Sequence, residues 1–336
     1  MKDLPLVDFD DTEVSHESKE SQPACFQRIP LRDALTREAS WIALGMVEIG
    51  KLHDKLLCGS SIKDDDALAA LGLRYDEGSG PITNASLCNA IRNHYRRIKD
   101  HRLPANDRLQ RNIDMLGQVL RFDEIDRLAL RIAFVVNSAP CFGDFCEVCD
   151  IKMPQLLCNR PRGRKISNVR LAHAFAATGR LRRAGFFDRE NCEFESNPLK
   201  LQKWVVQGLR SHDFEPIQLV RRIVKVGPAP KLVAEDFGHI ADRDLVVRYI
   251  NDALTRKRKG ANVLIHGQTG TGKTEFVREL ARSLGVRLYE VPSEDEDGDP
   301  ISGPRRFQAF SICQRLLSGS KDEILLFDEV EDVFPS

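Results

Sequence analysis

The chain has 336 residues, with 50 Lys and Arg against 50 Asp and Glu, 42% hydrophobic and 30% charged residues. That length predicts two or three domains, the composition excludes a wholly disordered or fibrous chain, and the balanced charge gives no general reason to expect a nucleic-acid or membrane partner. No apolar run reaches the ~18 residues of a membrane helix and the N-terminus carries no secretory hydrophobic region, so the expectation is a cytoplasmic protein without a membrane partner.

Residues 1–26 read as a disordered acidic tail, with seven acids and two bases through residue 25. Residues 27–119 read as a helical region. From Ile29 the apolar residues Leu31, Ala34, Leu35, Trp41, Ile42, Leu44, Val47 and Ile49 recur near helical spacing until Gly59, and further helices are predicted at about 64–71, 84–101 and 105–119. Residues 120–226 follow the order of a winged-helix-like domain. An apolar helix at 122–137 opens with acids, a second is predicted near 144–152, and Ser167 caps a third through Ala184. The stretch AGFFDRENCEFES then reads as two strands turning at Arg189–Asn191.

Gly227, Pro228 and Pro230 mark a linker over 227–235. An amphipathic helix is predicted at 242–258. Beyond Gly260 strands and helices alternate: NVLIH, a glycine loop, EFVRELARSL, VRLYEV, a helix around 304–317, and ILLF. Such alternation predicts a parallel α/β sheet covered by helices.

Gly267-Gln268-Thr269-Gly270-Thr271-Gly272-Lys273-Thr274 satisfies G-x-x-x-x-G-K-[ST] between a predicted strand and helix. Residues without a Cβ let backbone N–H groups bend closely around a phosphate chain, and the helix opening at Lys273 adds its positive dipole end. Lys273 is placed for the β and γ phosphates of ATP, and the Thr274 hydroxyl for Mg²⁺. Ile324–Phe327 is an apolar strand ending in Asp328 and Glu329, a Walker B pattern. In a parallel sheet both features fall beyond the carboxyl ends of the strands. Asp328 then holds Mg²⁺ and Glu329 polarises the attacking water as general base.

Two weaker patterns stand beside this one. Cys141, Cys146, Cys149 and Cys158 offer the beginning of a tetrahedral zinc site, or cysteines packed as small hydrophobes. Residues 160–183 carry Arg160, Arg162, Arg164, Lys165, Arg170, Arg180, Arg182 and Arg183 without an acid, either a nucleic-acid contact, a solvated basic face or an interface with a neighbouring subunit. His173 reads as packed or superficial, and His266 as a strand residue lining the core.

With these residues in place, 234–334 resembles the AAA+ ATPase superfamily. AEDFGHI is similar to the segment that packs against adenine, with Asp236, Phe237 and Gly238 at matching positions; GQTGTGKT followed by Glu275, and FDEVEDVF, match the two Walker forms. The resemblance implies ATP hydrolysis coupled to remodelling of a macromolecular partner by a homo-oligomer, usually a hexamer, with residues 236–336 the N-terminal part of the ATPase domain. The chain stops at Ser336 before any counterpart of the sensor strand, arginine fingers or helical lid, so it reads as an incomplete ATPase domain from a longer or truncated product. The loop Pro292–Pro304 has five acids and no aromatic residue, so the pore loop of peptide-threading relatives is missing. Two other readings stay open: a DNA-binding regulator switched by ATP, and a P-loop kinase, against which the Asp-Glu pair argues.

Overall fold

The computed structural model describes residues 26–31, 33–76, 79, 82–98, 107–139, 141–151, 168–176, 178–187, 200–212, 214–295, 297–318 and 320–333. The expected acidic tail, up to residue 25, lies outside them.

Strand β1 (Phe26–Arg28) precedes helix α1 (Ala34–Gly50), and a 3-10 turn leads to β2 (Leu57–Cys58) and β3 (Ser61–Ile62). Helix α2 (Asp65–Ala70) and β4 (Leu73–Tyr75) follow, then α3 (Asn84–Ile98), α4 (Arg108–Leu120) and α5 (Glu124–Ser138). β1 pairs antiparallel with β4, and β2 with β3 across a tight hairpin at Gly59. The expectation of an unbroken helical run to Gly59 is corrected here: helix α1 ends at Gly50. Four helices start on an Asp whose side chain accepts a backbone N–H: Asp33 from Thr36, Asp64 from Ala67, Asp107 from Gln110, and Asp123 from Ile125 and Asp126. Each cap satisfies donors that the first helical turn leaves without partners.

Helices α6 (Phe142–Val148), α7 (Asn168–Phe175) and α8 (Arg180–Arg183) follow α5, so the single third helix expected through Ala184 is corrected to two, and its expected cap Ser167 lies outside the described residues. The expected turn at Arg189–Asn191 lies outside the described residues. Phe187 forms an antiparallel bridge with Leu201, further along the chain than a tight turn there would bring it. Both side chains are buried, and that burial fixes the pairing. α9 (Lys203–Arg210) and α10 (Pro216–Ile223) complete the N-terminal region. Ten residues of α5 are buried, and all of these except Asp126 and Arg131 sit in the hydrophobic core, Leu130, Ala133, Phe134 and Val135 among them. No single helix among the described residues is long and apolar enough to cross a membrane.

β5 (Lys225–Val226), a 3-10 turn at Ala234–Phe237, α11 (Arg243–Thr255), α12 (Lys273–Ser283), β6 (Arg287–Glu290), α13 (Gly303–Leu316) and β7 (Glu323–Leu326) form the C-terminal part. The sheet order is β5-β6-β7. β6 and β7 are parallel, with Tyr289 opposite Leu325, and α13 makes the crossover between them. β5 runs antiparallel on the other edge of β6. A short strand pairing beside the expected linker was not legible in the sequence. One hydrophobic core runs from Trp41 and Phe134 through Phe186 and Leu219 to Tyr289, Ile312 and Cys313, without a break near residue 226.

The expected strand at NVLIH does not form: the segment has no ladder partner among the described residues. An extended segment becomes a strand only where a neighbour supplies hydrogen bonds. Ile265 packs into the clusters that hold Ile324, whereas Leu264 is 74% exposed. His266 is likewise exposed rather than lining the core.

Candidate functional site

The glycine loop runs into the N-terminus of α12. Gly270 and Gly272 both have φ 82, a left-handed backbone that costs an L side chain roughly 1–2 kcal/mol. These turns let residues 267–272 curl over the helix end. The Thr271 hydroxyl donates to the Gln268 carbonyl at 2.8 Å. The Lys273 ammonium donates to the carbonyls of Gly267 and Gln268, each at 2.9 Å. Lys273 thus folds back across the hollow of its own loop, where a phosphate oxygen is the stronger, charged acceptor.

Two elements far apart in sequence meet here. The Thr274 hydroxyl donates to Asp328 Oδ2 at 2.7 Å, joining the first turn of α12 to the end of β7. Asp328 Oδ1 accepts the backbone N–H of Glu329 at 3.1 Å, and Glu329 is exposed with φ 52. A hydroxyl and a carboxylate are the hard oxygen donors that Mg²⁺ takes together with nucleotide phosphates and water. The residues present therefore fit the expected ion.

α12 is held from both sides. Phe276 and Leu280 pack with Phe237, and Val277 and Ala281 with Leu288 of β6. Glu275 Oε2 accepts the backbone N–H of Lys231 at 2.6 Å, tying the segment before the 3-10 turn to the glycine-loop helix. That bond, with the one from Arg278, holds the Glu275 carboxyl below the usual range. Arg278 continues the chain to Glu290 of β6 with bonds of 2.8 and 3.0 Å. The clamp joins three sites remote from one another in sequence, so single-sequence spacing carries no signal for it.

The segment expected to meet adenine, Asp236 to Gly238, lies beside the glycine-loop helix with a different division of labour. The Phe237 side chain is 1% exposed and stands edge-on to Phe276, their ring centres 5.4 Å apart. It is core rather than a platform. Asp236 accepts the Val233 N–H at 2.9 Å and caps its own 3-10 turn. Gly238 is exposed beside it, as are Leu232 and Val233. A Cβ built on Gly272 would lie 3.8 Å from Leu232, which puts Leu232 next to the loop.

The weaker patterns disperse. Cys146 and Cys149 are buried in the core, and burial pushes both thiols up to about 12. Cys141 lies instead beside Asp66 and Asp144, and Cys158 is outside the described residues. Of the basic stretch, Arg160, Arg162, Arg164 and Lys165 are also outside them. Arg180 pairs with Asp126 at 3.0 Å, and the Arg182 guanidinium lies over the Phe187 ring, so both serve the fold. Arg170, Arg183 and His173 are exposed.

Residues 263–336 match the family described as ATPase family associated with various cellular activities (AAA). The chain is 32% identical over 84 residues to Lon protease of Clostridioides difficile, which is 23% of this chain and 11% of that protein. It is 28% identical over 107 residues to the Holliday junction branch migration complex subunit RuvB of Gluconobacter oxydans, 32% of this chain and 28% of that protein. A third relative, Protein STICHEL-like 3 of Arabidopsis thaliana, is 34% identical over 62 residues, 18% of this chain and 6% of that protein. The chain therefore spans a minor part of each of these relatives. No solved structure matches it significantly. The glycine loop and the acidic strand end both lie within the segment that matches the AAA family of ATPases.

Proposed function

We propose that this chain binds ATP and hydrolyses it with Mg²⁺, and that the N-terminal region couples turnover to remodelling of a macromolecular partner. The observation that carries the reading is the 2.7 Å bond from Thr274 to Asp328, which assembles the two Walker segments at one point. Lys273 exchanges its two backbone acceptors for phosphate oxygens and neutralises charge that grows during transfer. Mg²⁺, when bound, supplies further charge neutralisation at the phosphates. Thr274 and Asp328 hold it, and Glu329, exposed and one residue further on, accepts the proton of the attacking water. The exposed pair Leu232 and Val233 offers an apolar seat for the base beside the glycine loop.

The coupling rests on the continuous core, since α10 of the N-terminal region lies directly against α13 and against β5, which pairs with β6. A subunit ring is the expected assembly by family likeness. The test is Mg²⁺-ATP binding and turnover by the purified chain beside Lys273→Ala and Glu329→Gln. Lys273→Ala is expected to lose binding, and Glu329→Gln to keep it while turnover falls by about 10²-fold or more. A wild-type chain that binds no nucleotide, or a Glu329→Gln variant with wild-type turnover, overturns the reading.

A further inference from the structure

Arg306 stands in the first turn of α13 and is 2% exposed, although arginine is seldom fully buried without a partner that requires it. Its Nη2 donates to the main-chain carbonyl of Asp328 at 2.6 Å. Its guanidinium carbon lies 4.9 Å from the centre of the Phe327 ring. Arg306 therefore grips the two consecutive residues that lead into Glu329. The site described above is built from side chains, and Arg306 holds the main chain between two of them.

We propose that Arg306 is a positioning residue of the ATPase site, fixing the Asp328–Glu329 peptide and through it the direction of the Glu329 carboxylate. The inference rests on the ATPase reading and names a further residue for it. Glu329 has φ 52, a left-handed conformation that costs a residue with a Cβ roughly 1–2 kcal/mol. Such a residue persists only where its surroundings over-determine it. The charge-assisted bond from Arg306 supplies that constraint on one side of the peptide, and the bond from Glu329 N–H to Asp328 Oδ1 supplies it on the other. Rotation of this peptide relaxes φ and carries the Glu329 side chain away. It leaves Asp328 Oδ2 on the Thr274 hydroxyl, so the water-activating residue is disturbed before the groups that meet metal and phosphate.

The helix that presents Arg306 is itself immobilised. Ile312, Cys313 and Leu316 of α13 lie in the core shared with the N-terminal helices, and Gln308 Nε2 donates to the Arg182 carbonyl at 3.4 Å. Arg306 is thus offered from a fixed platform rather than from a surface helix.

The experiment compares wild type, Arg306→Met and Arg306→Lys for Mg²⁺-ATP affinity, kcat, and amide exchange at residues 328–330 in the nucleotide-free protein. Arg306→Met is expected to hold its affinity within about threefold, lose at least about tenfold in kcat, and exchange faster at 328–330. Arg306→Lys keeps a cationic donor and recovers part of both. Should Arg306→Met not fold, Arg306→Lys carries the same readouts with smaller effects in the same directions. Unchanged kcat in a variant of an active wild type overturns the assignment of Arg306 alone. So does unchanged exchange, or an affinity loss equal to the kcat loss. A wild type that neither binds nor turns over ATP overturns the ATPase reading instead, a separate result.

Discussion

Arg131 in the middle of α5 is predicted to be the most costly single side chain to remove from the N-terminal region. All five of its N–H donors are used. Nε and Nη2 bond Glu38 at 3.1 and 2.9 Å, Nη1 and Nη2 bond Asp107 at 3.1 and 2.7 Å, and Nη1 bonds Gln110 at 3.3 Å. The side chains of Arg131 and Glu38 are 5% and 1% exposed. Arg131→Met keeps most of the buried length but leaves the Glu38 charge sealed from water without its partner. Breaking such a pair costs about 3–5 kcal/mol, which lowers Tm by roughly 6–10 °C in a protein of this class. Replacing both partners, Glu38→Leu with Arg131→Met, removes the buried charge along with its counter-charge and is expected to return most of that loss. The pH response supplies an independent check. Burial pushes the Asp107 carboxyl up, but the bonds from Arg131 and from the Gln110 N–H outweigh it and hold the group below its ordinary value. A depressed carboxyl contributes stability that is present above its unfolded pKa and lost as pH falls through the folded one. That acid-side loss shrinks in Arg131→Met. Thermal and urea unfolding of wild type, both single variants and the double variant measure the coupling. A cost below about 1 kcal/mol for Arg131→Met, or a double variant no more stable than Arg131→Met, refutes the argument.

Gly272→Ala is expected to weaken nucleotide binding about 5- to 30-fold through its φ of 82 rather than through a clash, since Phe237 and Leu232 stand at ordinary contact distance from the added Cβ; titration with a fluorescent ADP analogue that finds unchanged affinity contradicts this. Thr274→Val removes the donor to Asp328 and is expected to raise the Mg²⁺ concentration for half-maximal turnover about tenfold or more while leaving Mg²⁺-free nucleotide affinity near wild type. A Mg²⁺ titration of ATP turnover, with nucleotide affinity measured in EDTA, checks both halves. His94 is buried with neither ring nitrogen bonded among the described residues, and burial, with the charges of Arg28 and Arg97, pushes its pKa down to about 4. The unfolded chain takes up that proton first, so stability declines as pH falls from the ordinary histidine range to about 4. His94→Leu is expected to flatten the decline in a series of unfolding midpoints, and a slope equal to wild type tells against it.

Periodicity is an interaction between residues three or four apart, and it was legible. The aspartate caps were not predicted, but the helices expected at about 84–101 and 105–119, the helix after the glycine loop and the apolar strand before Asp328 all lie near their expected positions. So does the glycine loop itself, because its backbone turns are dictated by the residues that make them. Pairing across long separations left no such trace. The Phe187–Leu201 bridge, the addition of β5 to β6, and the lack of a ladder partner at NVLIH each depend on which segment arrives alongside. Likewise Phe237, Cys146 and Cys149 carry side chains suited to a ligand, and burial assigned them to the core.

The sequence by itself determined the phosphate-cradling loop and the two acids that answer it, since both are short segments whose chemistry is set by residue type and spacing. Only the tertiary structure decided that Thr274 reaches Asp328, that Glu275 ties down the segment before α11, and that a buried arginine holds the peptide behind Glu329. Those contacts join positions distant in sequence, and they exist because two smaller clusters pack α12 on β6 and β7 while α13 packs into the core shared with the N-terminal helices, which brings all three to a common end.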